Sequence, residues 1–275
     1  MSRSWRTILN AVPGGVLVAV VLLAEAGFVF GQGRGAPPPG QGVGGRGGAA
    51  AVPPIGRAAA RIDLTGYWVA LVTEDWRHRM FTPPKGDFIS VPLNPAGRAK
   101  ADEWDPARDE AAGEQCKAYG APGVMRLPTR LHITWRDDQT LKVETDAGTQ
   151  TRLLRFVPSQ EPVDEWQGVS TAAWVSPQGP MPARGRGGQP AGGSLRVVTT
   201  RLKPGYLRKN GVPYSANAVL TEYFDRLDVP GGESLLVVTQ ELVDPEYLAT
   251  PYWTSSHFKR QNDASGWNPT PCSAR

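Results

Sequence analysis

The sequence predicts an all-β protein, an antiparallel β-barrel with one or two short helices in a long early loop. Three observations carry this. Nine short runs rich in β-branched and aromatic residues are strung along residues 64–260. Tight turns containing Asp or Gly join most of them, and helical periodicity is nearly absent. Such a chain closes into a barrel or a sandwich, not an α/β fold.

In chain order, residues 2–6 form a short basic start and residues 16–24 an apolar run, leading to Gly31. The run is about half of the roughly 20 residues that span a bilayer. Residues 1–31 are therefore read as a secretory signal peptide, cleaved near Gly31, with no stable membrane span afterwards. Residues 32–61 are Gly, Pro, Ala, Gln and Arg with little to bury, the composition of a disordered tether. Residues 62–275 make the barrel domain, and a second Gly/Pro/Arg piece at 176–194 reads as a flexible loop. The expected location is exported, periplasmic or extracellular.

The first strand is expected at 64–72. A long excursion from Trp76 to Gly123 follows. Within it Asn94 precedes Pro95, an N-cap followed by proline at the first helical position, so a short helix is expected to about Trp104. Residues 110–117 can add another turn or two. Strands are then expected at 131–135, 141–145, 151–157, 168–175, 195–202, 218–228, 234–243 and 252–260, and 204–214 reads as a lid or rim loop.

Cys116 and Cys272 are the two cysteines. In an oxidising compartment they are expected to pair and to pin the C-terminal tail. Net charge is +4. Removing residues 1–31 takes two arginines and one glutamate, and six further arginines sit in the Gly-rich pieces, so the folded part is near neutral. Charge gives no case for a nucleic-acid partner.

The three histidines, His78, His132 and His257, share no metal-ligand spacing, and neither a G-x-S-x-G elbow nor a nucleotide-binding glycine loop is present. No metal and no cofactor are expected. The densest titratable cluster is Glu74, Asp75, Arg77, His78 and Arg79, just past the first strand where a barrel mouth would lie. Glu74, Asp75, His78 and His132 are the acid–base candidates; the competing reading of the cluster is a solvated, charge-rich loop.

Strand 218–228 puts Leu220, Glu222, Phe224 and Arg226 on one face and Val219, Thr221, Tyr223 and Asp225 on the other, so both faces are mixed. Gln240 falls in an otherwise apolar partner strand. A dry core disfavours such groups. They line a ligand pocket in the lumen or pair with one another, for example Glu222 with Arg226 or Arg201. Trp68, Tyr206, Tyr214, Glu222, Tyr223 and Arg226 are the ligand-binding candidates.

Gly66-Tyr67-Trp68 resembles the G-x-W signature of lipocalins and other calycins. That resemblance implies a calycin-like barrel whose Trp68 closes one end, with Lys259 or Arg260 packed over it. A second resemblance spans nearly the whole domain. Gly113-Glu114-Gln115-Cys116, Tyr119-Gly120-Ala121-Pro122, Trp166-Gln167-Gly168 and Thr221 through Arg226 are similar to an uncharacterised family of exported acidobacterial and proteobacterial proteins. It implies membership and no activity. The function expected is binding of a small, hydrophobic or amphipathic ligand within the barrel. The alternatives are a hydrolase or isomerase on the same barrel, or an envelope interaction module. Oligomeric state stays open.

Overall fold

The computed structural model describes residues 54–158, 166–176 and 193–275. The expected signal peptide, most of the expected tether and nearly all of the 176–194 loop lie outside the described residues.

Among the described residues eleven strands form: β1 Gly66–Leu71, β2 Arg130–Asp137, β3 Thr140–Thr145, β4 Thr151–Arg155, β5 Val169–Val175, β6 Ser194–Thr200, β7 Gly205–Arg208, β8 Val212–Tyr214, β9 Val219–Val229, β10 Glu233–Val243 and β11 Tyr252–Gln261. Nine of them close a barrel in the order β1-β11-β10-β9-β6-β5-β4-β3-β2, and β7 with β8 makes a separate ribbon. The nine barrel strands are the nine read from the sequence.

Antiparallel pairing holds everywhere except between β4 and β5, which run parallel with Leu154 opposite Ser170. A closed ring can alternate in direction all round only if its strand count is even, so nine strands force one parallel seam. Its place follows from the chain path. The Trp166 carbonyl accepts from the Ala121 amide at the mouth end (3.0 Å), so β5 sets out from the mouth end as β4 does.

Alternation along each strand sends one face inward. At the closed end Trp68, Leu131, Ile133, Phe224, Leu236 and Phe258 are fully buried in one apolar cluster, each large side chain stabilising by about 1.5–3 kcal/mol. Trp68 donates from Nε1 to the Leu64 carbonyl (2.9 Å), and the Arg260 guanidinium sits 5.5 Å from its ring centre. The basic residue over the tryptophan is thus Arg260, while Lys259 pairs with Glu233.

The mouth end is roofed. The 72–129 excursion contributes α1 Trp76–Met80, α2 Pro95–Asp102, α3 Pro106–Ala111 and α4 Ala121–Val124, with a 3-10 turn at Lys117–Tyr119. Asn94 caps α2 as expected, its side-chain oxygen accepting from the Gly97 amide (2.8 Å). Leu93, Val212, Tyr214 and Leu248 from the roof pack on Leu220 and Leu242 of the barrel rim in a second apolar cluster.

Two segments are more ordered than the sequence suggested. Residues 204–214, read as a loop, are the β7–β8 ribbon, turning at Gly211 with φ +83°. Asn210-Gly211 is the turn chemistry such a hairpin needs. The end of the expected tether is seated on the closed end of the barrel. Gly56–Ala59 form a 3-10 turn, Trp174 Nε1 donates to the Gly56 carbonyl (2.8 Å), and the Arg57 amide donates to the Asp138 carbonyl (2.8 Å).

Candidate functional site

Between the two apolar clusters the lumen holds a polar layer built on an internal ion pair, with Arg152 Nε buried and without an acceptor. Glu222 and Arg152, on facing walls, are both buried; Arg152 donates to the two carboxylate oxygens at 3.0 and 2.5 Å. Gln240 Nε2 adds a third donor to Glu222 (3.2 Å). Arg152 also reaches Thr199 (3.4 Å), which meets Ser170 (2.8 Å). The partner of Glu222 is therefore Arg152, not Arg226 or Arg201. Arg226 lies at the other end of the barrel and donates to Asp228 and to the Asp63 carbonyl, each at 2.9 Å. Tyr223 lies on the outer wall opposite Thr239 and Arg196. Of the residues expected to line a pocket in the lumen, Glu222 is spent on an ion pair, Trp68 is core, and Tyr223 and Arg226 lie outside it.

The acid–base candidates divide. Glu74, Asp75 and His78 gather at the mouth, while His132 lies on the outer wall, stacked on Tyr67 (4.1 Å between ring centres), with Nδ1 3.2 Å from Glu144. At the mouth Glu74 takes Arg79 (2.7 Å) and His257 (3.2 Å), and Asp75 takes Arg126 (2.7 Å). Burial pulls the Glu74 carboxyl upward, but the Thr73 hydrogen bond and the Arg79 charge outweigh it and hold the group below its usual value. Asp75 has left-handed backbone, φ +51°, a conformation Asp tolerates better than most residues.

Tyr206 and Tyr214, the remaining ligand-binding candidates, meet in a cleft of about 300 Å³ on the roof. The end of α2 and the residues after it supply Lys100, Glu103 and Trp104. Helix α3, capped by Asp105 on the Ala107 and Arg108 amides (3.0 and 3.3 Å), supplies Arg108. Segment 114–117 supplies Glu114 and Lys117, the ribbon Tyr206 and Tyr214, and the turn after β10 Tyr247. Sequence reasoning left out Trp104, Lys117 and Tyr247, which only the fold brings to the tyrosines.

Buried Asp109 organises one wall. It accepts from Lys117 Nζ (2.6 Å) and from the Tyr206 hydroxyl (2.9 Å). Burial opposes the Lys117 charge, but hydrogen bonds to Asp109 and Glu114 outweigh it and push the ammonium up to about 12. Burial and the bond to Asp109 push the Tyr206 phenol up to about 12, and burial with the bond to Glu246 does the same for Tyr247. The Cys116–Cys272 disulfide forms beside Lys117 and fastens this wall to the C-terminal tail. Gly205 makes room for Tyr214, whose hydroxyl would lie 2.6 Å from a Cβ there. The Trp104 indole Nε1 is buried with no hydrogen-bond partner.

Lys117, Tyr206 and Tyr247 all keep their protons well above neutral pH. General acid–base groups work best near the operating pH, and none of these three is set near it. Among the described residues no group of three or more His, Cys, Asp or Glu is placed to hold a metal ion, and no helix is long and apolar enough to cross a membrane. The fold and cleft define a nine-stranded β-barrel with a roofed mouth. No family model, curated protein or solved structure matches the chain.

Proposed function

We propose that this is an exported, periplasmic or extracellular calycin-like protein that binds a small amphipathic molecule in the roof cleft, not in the barrel lumen. The observation that carries the reading is the cleft: about 300 Å³, walled by Trp104, Tyr206, Tyr214 and Tyr247, with an indole N–H lacking an acceptor. Ligand sites are concave, mainly apolar and supplied with a few convergent polar groups, and their volumes start near ~300 Å³. A flat apolar face fits the aromatic walls, and an acceptor on the ligand completes the Trp104 N–H. Lys100, Lys117 and Lys203 on the rim are balanced by Glu103, Glu114 and Asp109, which favours a ligand of little net charge. Arg260 over Trp68 supports the calycin-like assignment, and the disulfide supports an oxidising compartment.

The test uses 1-anilinonaphthalene-8-sulfonate, which pairs flat apolar rings with an acceptor group. One saturable site is expected by fluorescence, weakened at least tenfold in both Trp104→Ala and Tyr206→Ala with circular dichroism unchanged. Unaltered affinity in both variants refutes the cleft. For export, N-terminal sequencing of protein recovered from its own cells should start near residue 32, and a chain retaining Met1 refutes cleavage.

A further inference from the structure

The mouth cluster forms a second site, independent of the roof cleft. A pocket of about 40 Å³ lies between α1, α4 and the residues after it, the end of β7 and the start of β11. It has room for roughly three waters, or for one compact polar group in their place. Arg79, Arg126, Arg208 and Lys209 line it, against the single carboxylate of Asp75. Glu74, alongside, is shared between Arg79 and Arg126 at 2.7 and 3.3 Å.

The hydrogen-bond inventory shows what is missing. Arg126 is well supplied, by Asp75 and by the Ser255 carbonyl. Arg79 gives Nε to the Arg126 carbonyl (2.8 Å) and Nη1 to Glu74 (2.7 Å), but its Nη2 is buried with no acceptor. Arg208, 8% exposed, gives Nη1 to the Ile89 carbonyl (2.8 Å) and makes no ion pair among the described residues; its Nη2 is also buried without an acceptor. His78 Nδ1 completes the set, with Asp87 3.9 Å away. A buried cation short of acceptors is costly. Water would supply a lone pair but no charge. A planar guanidinium is matched to an oxyanion, which accepts two of its N–H groups and neutralises it. Burial and the Arg126 charge hold the Arg79 guanidinium down at about 10, against the opposing pull of Glu74 and Asp75.

We infer that the mouth pocket binds a compact oxyanion, a carboxylate or phosphate group, through Arg79 and Arg208, with His78 at its edge. The group belongs to a free ion or to the head of a larger molecule that runs out over exposed Phe81.

Inorganic phosphate and acetate are titrated separately, against sodium chloride of equal ionic strength, with melting temperature and calorimetric affinity as readouts. Saturable stabilisation by at least one is expected, and which one responds separates phosphate from carboxylate. Affinity should fall at least tenfold in Arg208→Gln and be unchanged in Trp104→Ala, which keeps this site distinct from the cleft. Stabilisation no greater than that by chloride, or a response in Arg208→Gln and Arg79→Gln undiminished from the parent's, overturns the inference. Should the arginine variants not fold, wild-type crystals soaked in tungstate decide it. An anomalous peak beside Arg79 and Arg208 supports the site, and an empty pocket at saturating tungstate refutes it.

Discussion

Arg152→Met tests whether the lumen is filled by its own ion pair. The side chains of Arg152 and Glu222 are 1% and 0% exposed, and two of the bonds to the Glu222 carboxylate come from this arginine. Methionine matches much of the arginine stem but leaves Glu222 buried with Gln240 as its remaining donor. Breaking one side of a buried pair costs about 3–5 kcal/mol, because an uncompensated charge stays inside. For a domain of this size each kcal/mol is worth about 2–4 °C, so melting should fall by on the order of 10 °C. Replacing both partners, Arg152→Met with Glu222→Leu, removes the charge with its counter-charge and should return to within about 1 kcal/mol of the parent. Urea unfolding followed by tryptophan fluorescence measures all three proteins, and the slopes should agree. A single substitution costing under about 1 kcal/mol, or a double variant as unstable as the single, would refute a dry, self-satisfied lumen. Water would then reach Glu222, and the lumen would regain its standing as a ligand site.

Cys116→Ser with Cys272→Ser releases a loop of 156 residues, worth about 5 kcal/mol of unfolded-state entropy before strain; an unchanged melting temperature with and without reductant would refute this. Gly148→Ala forces a left-handed backbone (φ +76°) on a residue whose Cβ would lie 2.2 Å from the Tyr119 ring. A loss of about 2–4 kcal/mol is expected, and a denaturation midpoint equal to the parent's would contradict the geometry. Tyr206 and Lys117 both hold their protons more tightly folded than unfolded, each up to about 12. Their stabilisation is complete below the unfolded values near pH 10 and is lost as pH rises toward 12. Absorbance at 295 nm should show a late tyrosinate step near pH 12, smaller in Tyr206→Phe; a single step near pH 10 in the parent would refute it.

The sequence made the barrel legible because each strand announces itself locally. Leu141-Lys142-Val143-Glu144-Thr145 alternates cleanly, and Asn94-Pro95 marks a helix start without help from tertiary structure. The parallel seam was also within reach, since an odd strand count cannot alternate round a closed ring. The β7–β8 ribbon was missed although Asn210-Gly211 marks its turn, because Pro204, Pro213 and two basic residues gave the stretch the look of a loop. Glu222 was legible as anomalous in an apolar run, but its partner was not. Arg152 sits on a strand 70 residues earlier and faces it only once the barrel closes. The cleft was half visible. Tyr206 and Tyr214 stood out by residue type, whereas Trp104, Lys117 and Tyr247 reach them through the roof, a relation no local pattern encodes.

The vertical order of the molecule argues for where its chemistry lies. Trp68 and Arg260 seal one end, the Arg152–Glu222 layer fills the middle, and the second apolar cluster seals the rim, so the lumen spends most of its polar groups on one another, Arg152 Nε excepted. The roof does not. Trp104, Arg79 and Arg208 each keep a buried N–H without an acceptor there, and Asp75 holds a left-handed backbone beside them. A folded chain carries such deficits only where the surrounding structure over-determines them. The surroundings here do so by cross-linking: the disulfide ties the 114–119 wall to the tail, and Asp109 ties it to the ribbon through Lys117 and Tyr206. Rigidity is thus concentrated under the cleft. The proposed sites therefore both lie on this braced roof, where more of the buried donors lack acceptors than in the lumen.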